Sequence, residues 1–367
     1  MKLLFHIPFR LIFLFGVAGV ASALLSLMVV KGLDAAGIDT PRTTLDVLSR
    51  WQARVETVRK RNAVAYLGDS TALSDKGYKY TIPGLMGARL GRVEGMPPLV
   101  SLADAGLGPV DYYLLASELA QARPRAIVLS LNLASLSPVW MSRSSHPELA
   151  SVLGLHRWPE AFGLPLSSSG LTADRLFLYP SLHALGLSAR WRELVEYQAR
   201  VLSGWRALEN HLDGSRGPIA LRRLANLARV AAAKKEEGAL QIQQWARYGK
   251  AIHGLEATDP NLQVLAATLK YWRRAGIPVL LVVLPVNVDL FKSLEISNPE
   301  TLRRSIEELA KVAHAQGASF LDLHAVLPSP SFSDHYGHFA HGAEPDGARR
   351  IADRITPILE SMLRGRL

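Results

Sequence analysis

Hydrophobic positions along the chain fall into five short apolar runs separated by longer segments with helical periodicity. Each run has the length of a buried strand. The runs cover residues 63–67, 98–103, 125–132, 277–284 and 319–323. Helical patterns cover residues 110–121, 261–275, 300–316 and 346–363. Because parallel strands need crossover connections, this alternation predicts an α/β fold: a three-layer sandwich with a mostly parallel five-stranded sheet.

Residues 134–260 interrupt the alternation. The stretch begins with Ser- and Pro-rich segments and continues with long helical patterns rich in Arg, Ala and Leu. It is too long for a simple crossover and predicts a helical insertion or cap, although an accessory bundle away from the chemistry fits equally well. The sandwich domain is therefore expected in two parts, residues 61–133 and 261–367.

The N-terminal region contains an uncharged apolar run at residues 11–30, which is long enough to cross a bilayer as a helix. Lys2 and Arg10 precede this run. Under the positive-inside rule they favour a cytoplasmic N-terminus, with the chain after the apolar run on the other side of the membrane. The expected location is a bacterial inner membrane, with a single pass and the main domain periplasmic or extracellular.

A cleaved signal peptide is the alternative for this region, because Ala21-Ser22-Ala23 resembles a processing site. The apolar run continues to residue 30, which favours an uncleaved transmembrane anchor over residues 1–31. Residues 32–60 then form a spacer that ends in an amphipathic helix.

Charge and cysteine content narrow the function classes. The formal net charge is +10, which favours attraction to anionic surfaces. The basic residues are spread over helical patterns without an aromatic ladder, so no nucleic-acid partner is predicted. The chain has no cysteine, which excludes disulfides, thiolate metal sites and cysteine nucleophiles.

Two segments carry candidate chemistry. Gly68, Asp69 and Ser70 follow the first apolar run, where a serine lies at the carboxyl end of a strand and at the start of a helix. Residues 333–341 contain Asp334 and three histidines. A serine becomes a nucleophile when a base takes its proton and an acid orients that base. The alternative for the first segment is a helix N-cap without catalytic function.

Three positions line up at the carboxyl edge of the predicted sheet. Ser70 follows the first strand, Gly106 follows the second and Asn132 ends the third. Attack by serine on an ester produces an oxyanion, which preorganised donors stabilise. The Ser70 N–H, the Gly106 N–H and the Asn132 side-chain amide are the predicted oxyanion-hole donors.

The histidine segment also allows a metal interpretation. His335, His338 and His341 have the spacing of one helical face, which would suit zinc. Gly337 and the neighbouring aromatic residues favour a loop, so no metal and no other cofactor is predicted.

The chain resembles the SGNH/GDSL hydrolase superfamily over residues 62–132 and 276–360. Gly68-Asp69-Ser70 matches its first block, and Asn132 matches the asparagine of the Gly-x-Asn block, although Ser130 stands at the glycine position. Gly106 and Gly108 compete for the second-block glycine, and Gly106 is preferred. The resemblance implies a flavodoxin-like fold.

The last block of that superfamily, Asp-x-x-His, is shifted here because Gly337 lies three residues after Asp334. The resemblance therefore implies a triad of Ser70, Asp334 and His338, with His341 as the alternative base. Asp322 is an alternative carboxylate, at a position that looks structural in the superfamily.

Within the superfamily the chain looks like the membrane-anchored proteins that accompany membrane-bound O-acyltransferases in D-alanine transfer and alginate O-acetylation. That likeness implies a serine acyltransferase or esterase that moves acyl groups, acetyl above all, on a cell-envelope polysaccharide. Its partners would be a membrane-bound O-acyltransferase and the membrane itself. The competing hypothesis is a non-catalytic envelope assembly protein with a degenerate domain.

Overall fold

The computed structural model describes part of the chain. The described residues are 44–74, 76–136, 149, 161, 163–166, 254–293, 295, 298–333, 338–340 and 346–365. Among them, no helix combines the length and apolar character needed to cross a bilayer. The predicted anchor at residues 1–31 and nearly all of the predicted insertion at residues 134–260 lie outside the described residues.

The described residues from 50 onwards belong to one compact unit, which comprises Arg50–Ser181 and Lys235–Leu367. Its centre is a five-stranded sheet in which every neighbouring pair is parallel. The α/β class and the parallel five-stranded sheet are thus confirmed. The strands are β1 (Val64–Leu67), β2 (Leu99–Ser101), β3 (Ala126–Leu131), β4 (Val279–Val283) and β5 (Ser319–Asp322).

Seven α-helices are found in the described part of the chain and are numbered in order. Most begin at a residue whose side chain caps the first turn, such as Asp259, Asn298 and Asp346. The helices are α1 (Thr44–Arg61), α2 (Ile82–Leu90), α3 (Pro109–Ala122), α4 (Pro260–Arg274), α5 (Val288–Ser293), α6 (Pro299–Ala315) and α7 (Gly347–Arg364).

The helices cover both faces of the sheet. Helices α2 and α7 pack together over one face, on alternate strand residues such as Val64, Val128 and Val282. Helix α4 packs against α3 and α6. Right-handed crossovers from β2 to β3, β3 to β4 and β4 to β5 require these three helices to lie on the other face. Strands β1, β3 and β4 are consequently buried along their whole length.

The strand order β2-β1-β3-β4-β5 has one reversal, between β1 and β3. The chain leaves β1 towards one side of the sheet and β3 towards the other, so a crevice opens beyond their carboxyl ends. Ser70 follows β1 and Asn132 follows β3. The fold therefore brings two of the predicted functional positions to this crevice.

A short antiparallel ribbon, in which residues 331–333 pair with residues 338–340, precedes α7. Phe332 and Phe339 form its bridge, and their rings lie 5.7 Å apart between centroids. Phe339 is fully buried in the core that α2 and α7 share. Gly347, the first residue of α7, packs so closely on this ribbon that a Cβ atom there would overlap the Ser331 carbonyl and lie 3.2 Å from the Phe339 Cβ.

We expect Gly347→Ala to destabilise the full-length protein by about 2 kcal/mol, because the ribbon and α7 must separate to admit the methyl group. Thermal unfolding should show Tm lowered by about 4 to 8 °C. Gly365→Ala, at the C-cap of α7, is the matched control, since its Cβ would meet only ordinary contact at 3.6 Å from the Ser361 carbonyl. An equal Tm for both variants would contradict the close packing of α7 on the ribbon.

Candidate active site

Ser70 opens a single turn of 3₁₀ helix, Ser70–Ala72, directly after β1 and two connecting residues. Asp69 is the N-cap of this turn, and its side chain accepts a hydrogen bond from the Thr71 N–H at 3.0 Å. The N-cap alternative raised for this segment is therefore correct for Asp69. It does not account for Ser70, whose side chain is only partly buried and faces a different partner.

That partner is His338. Its Nε2 atom lies 3.1 Å from the Ser70 Oγ atom, across 268 residues of sequence. The ribbon fixes the backbone of the histidine, because the Ser333 N–H donates to the His338 carbonyl at 2.8 Å and the next residue, Phe339, is anchored in the core. A serine hydroxyl and an imidazole nitrogen thus meet at hydrogen-bond distance, as a nucleophile and its base must.

Asp334, the predicted acid, and His341, the alternative base, lie outside the described residues, as does His335. Among the described residues, no group of three or more His, Asp and Glu side chains has the arrangement of a metal site.

Asp69 is a buried carboxyl group at the centre of the site, with 7% of its surface exposed. Its Oδ1 atom accepts hydrogen bonds from the N–H and the hydroxyl of Thr71. Burial raises the pKa of Asp69, while the bonds from Thr71, the charge of His338 and the Asn132 side chain oppose that rise. Burial outweighs these contacts, so the charged form of Asp69 is less favourable here than in water.

The side chain of Asn132 has a defined orientation. Its Oδ1 atom accepts the Ala134 N–H at 3.0 Å, which assigns the Nδ2 group to the opposite side of the amide. The same side chain acts on Asp69 and opposes the rise in the pKa of that carboxyl. Nδ2 carries two protons, which can donate to a ligand in the crevice.

The turn after β2 distinguishes between the two candidate glycines. The Gly108 N–H donates to the Asp111 carboxylate at 2.9 Å, where Gly108 begins α3. Gly106 has φ = 79°, which glycine adopts without strain. Within the described part of the chain, neither the Gly106 N–H nor the Ser70 N–H has a hydrogen-bond partner. The geometry therefore favours Gly106 over Gly108 as an oxyanion donor.

Helix α1 supports this turn from outside the sheet. Arg54 donates to the Ala103 carbonyl at 3.3 Å, and its guanidinium lies 4.0 Å from the Asp104 carboxylate. The Asp104 N–H in turn donates to the Gly68 carbonyl at 3.2 Å. The turn that carries Gly106 is thereby attached both to α1 and to the segment that carries Ser70.

Asp322, the alternative carboxylate, has a different partner. Its two oxygens lie 2.7 and 2.9 Å from Nδ1 of His324, at the end of β5. Burial raises the pKa of Asp322, but the bonds from the His324 ring and N–H outweigh it and leave the pKa below its ordinary value. This second Asp–His pair was not anticipated from sequence, although the Asp-x-His spacing at a strand end was visible.

Two further residues of the site were also missed. Thr71 immediately follows the Gly68-Asp69-Ser70 segment and supplies two donors to Asp69. Ser130 stands two residues before Asn132, and its hydroxyl donates to the Leu67 carbonyl at 2.9 Å. Both are small polar residues at strand ends, and the sequence signal for them was their position beside predicted functional residues.

Comparison with known proteins adds no assignment to this geometry: a scan against known protein families finds no match, and a search of curated proteins finds no significant match.

We expect the stability of Asp69→Asn, relative to the natural protein, to increase as the pH rises from 4 to 7. The folded-state pKa of Asp69 is raised, so between the unfolded and folded pKa values the folded protein binds more protons and loses stability with rising pH. The variant lacks this loss. Thermal unfolding of both proteins at the two pH values measures the difference in Tm.

Asp289→Asn, at an exposed position of α5, is the matched control and should change Tm equally at both pH values. If the Tm difference for Asp69→Asn stayed constant or reversed with pH, burial would not raise the pKa of Asp69 in the folded protein.

Proposed function

We propose that this protein carries out acyl transfer through a covalent serine intermediate, with Ser70 as nucleophile and His338 as general base. The observation that carries the proposal is the 3.1 Å separation between the Ser70 Oγ and His338 Nε2 atoms at the crevice beyond β1 and β3. The partly buried setting of this contact excludes part of the competing water and strengthens its electrostatics.

In the proposed first step, the Ser70 oxygen attacks an ester carbonyl carbon while His338 Nε2 takes the hydroxyl proton. The carbonyl oxygen becomes an oxyanion, for which the Ser70 and Gly106 N–H groups and the Asn132 Nδ2 group are the available donors. The tetrahedral species then collapses, the bond to the leaving oxygen breaks, and His338 returns its proton to that oxygen. An acyl group remains esterified to Ser70.

In the proposed second step, a hydroxyl group attacks the acyl-enzyme and His338 takes its proton. Water as the acceptor makes the protein an esterase, and a sugar hydroxyl makes it an acyltransferase. The resemblance to anchored SGNH-like proteins and the apolar segment at residues 11–30 favour transfer of acetyl groups on an envelope polysaccharide. A membrane-bound O-acyltransferase is the partner this implies.

Asp334 is the proposed third member of the triad. It follows Ser333 directly in sequence, and the Ser333 N–H is bonded to the His338 carbonyl. A carboxylate there would hold the His338 tautomer and stabilise the imidazolium that forms during attack. Asp322 is not proposed, because His324 engages both of its oxygens. His338 is proposed as base because its Nε2 atom lies 3.1 Å from the Ser70 Oγ atom, and His341 stays the alternative.

The strand order β2-β1-β3-β4-β5 is that of flavodoxin-like sheets, which supports the finer assignment of a flavodoxin-like SGNH fold. Two departures limit the likeness to the superfamily: Ser130 replaces a glycine, and Asp334 and His338 are one residue further apart. The proposal therefore depends on the contact between Ser70 and His338 more than on motif matching.

The test is covalent labelling of the full-length protein with a fluorophosphonate probe, read as the second-order rate of labelling. Ser70→Ala should abolish labelling, and His338→Ala should slow it by about 10²- to 10⁴-fold because proton transfer is lost. His324→Ala is the matched control, a histidine beyond the same edge of the sheet whose partner is Asp322, and should label like the natural protein.

No labelling of the folded natural protein would overturn the proposal and favour the non-catalytic assembly protein. Labelling that persists in Ser70→Ala, or that is lost equally in His324→Ala, would place the nucleophile or the base elsewhere.

A further inference from the structure

Ser130 and Gly68 fit each other at the exit of β1. A Cβ atom built on Gly68 would overlap the Ser130 Oγ atom, at a distance that real Cβ atoms do not adopt. The backbone of Gly68 is not in the left-handed region, so space alone requires glycine here. The serine hydroxyl therefore occupies the volume that any side chain at position 68 would need.

The Ser130 hydroxyl also holds the backbone that leads to the nucleophile. Ser130 is fully buried, and its Oγ donates to the Leu67 carbonyl at 2.9 Å. Leu67 ends β1, and Gly68 and Asp69 are the only residues between it and Ser70. Two residues after Ser130, the Asn132 side chain acts on the Asp69 carboxyl and opposes the rise of its pKa. The end of β3 thus holds the Leu67 carbonyl and lies against the residues that lead from it to Ser70.

Other contacts on this segment do not replace the one from Ser130. The Gly68 carbonyl accepts the Asp104 N–H, on the side of β2, and the Asp69 carboxylate accepts from Thr71, within the 3₁₀ turn. Among the described residues, the side-chain link from β3 to the Leu67 carbonyl is made by Ser130. Loss of that link leaves the β1 exit joined to β3 through the backbone pairing, whose last partners are Leu67 and Leu129.

We propose that Ser130 is a positioning residue for the Ser70 nucleophile, acting through the Leu67 carbonyl and through the close fit of its hydroxyl against Gly68. The inference rests on the proposed serine chemistry and adds to it the element that sets the position of Ser70 relative to Asn132. It predicts that substitutions at positions 68 and 130 have non-additive effects on the labelling rate.

We expect Ser130→Gly to compensate for the effect of Gly68→Ala. In Gly68→Ala the new methyl group and the Ser130 Oγ cannot both keep their places, so either the hydroxyl leaves the Leu67 carbonyl or the turn with Ser70 moves. In the double variant Gly68→Ala/Ser130→Gly, the methyl group enters the volume that the hydroxyl left. The remaining neighbours of that methyl, the Ala72 Cβ and the Tyr66 Cε1, are each 3.3 Å away, which small adjustments accommodate.

The experiment measures the fluorophosphonate labelling rate of the full-length natural protein, Gly68→Ala, Ser130→Gly, Ser130→Ala and the double variant. We expect Gly68→Ala to label about 100-fold more slowly, because a misplacement of the order of 1 Å has that effect. Ser130→Ala and Ser130→Gly should each label about tenfold more slowly through loss of one buried hydrogen bond.

Independent effects would make the double variant about 1,000-fold slower than the natural protein, the product of the two single losses. The inference predicts instead a rate about tenfold slower, close to that of Ser130→Gly alone, because the clash is relieved while the hydrogen bond stays lost. Ser117→Ala, a serine equally buried in α3, and Gly87→Ala, whose Cβ would lie 3.8 Å from the Leu99 Cβ, are controls and should label normally.

Tm is measured for every variant, and labelling is compared well below the lowest Tm. Recovery of the labelling rate in the double variant supports the inference. Recovery of Tm without recovery of the rate would show a purely structural fit and overturn it, as would a double variant 1,000-fold slower than the natural protein. If the natural protein does not label at all, the proposed function is wrong and the positioning role falls with it. If the natural protein labels but the double variant shows no rescue, only the positioning role is wrong.

Discussion

The hydrogen bond between Ser70 and His338 is the contact on which the account of this protein depends. Its two partners come from opposite ends of the domain, and each is held by a separate piece of structure. The exit of β1 carries Ser70, and the ribbon before α7 carries His338. The apolar core joins the two, because Phe339 packs with residues of β1, β3 and β4 beneath α2 and α7. Packing in the core therefore sets a distance between polar atoms at the crevice.

Around that contact, the site is organised by a buried carboxyl group. Asp69 has little exposure and a pKa raised by burial, which is costly unless donors surround it. Thr71 provides two such donors, which fix the 3₁₀ turn. The Asn132 side chain also favours the charged form of Asp69, and the Ala134 N–H fixes the direction of its amide. In a buried polar network of this kind, each side chain adopts the one orientation that satisfies the hydrogen bonds of its neighbours. Burial therefore also fixes the orientation of these side chains. The same residues that make the turn stable thus present an N–H towards the crevice.

Much of this arrangement was predictable from sequence because it follows from hydrophobic periodicity. The apolar runs predicted the bounds of β1 to β5 within two residues at each end. Because Ser70 and Asn132 follow two of these runs, both were expected at the carboxyl ends of parallel strands. The pairing of Asp322 with His324, the two donors of Thr71 and the fit of Ser130 against Gly68 were not predicted, because they depend on side-chain directions that periodicity does not determine. The membrane segment, Asp334 and His341 lie outside the described residues and stay predictions.

The most direct measurement of the central claim is a crystal structure of the full-length protein after reaction with a fluorophosphonate. The account predicts phosphorus bonded to the Ser70 Oγ, His338 Nε2 still adjacent, and one phosphonyl oxygen about 2.7 to 3.1 Å from the Asn132 Nδ2 and from the N–H groups of Ser70 and Gly106. A phosphonyl oxygen that faces away from these donors, or an adduct on another residue, would contradict it.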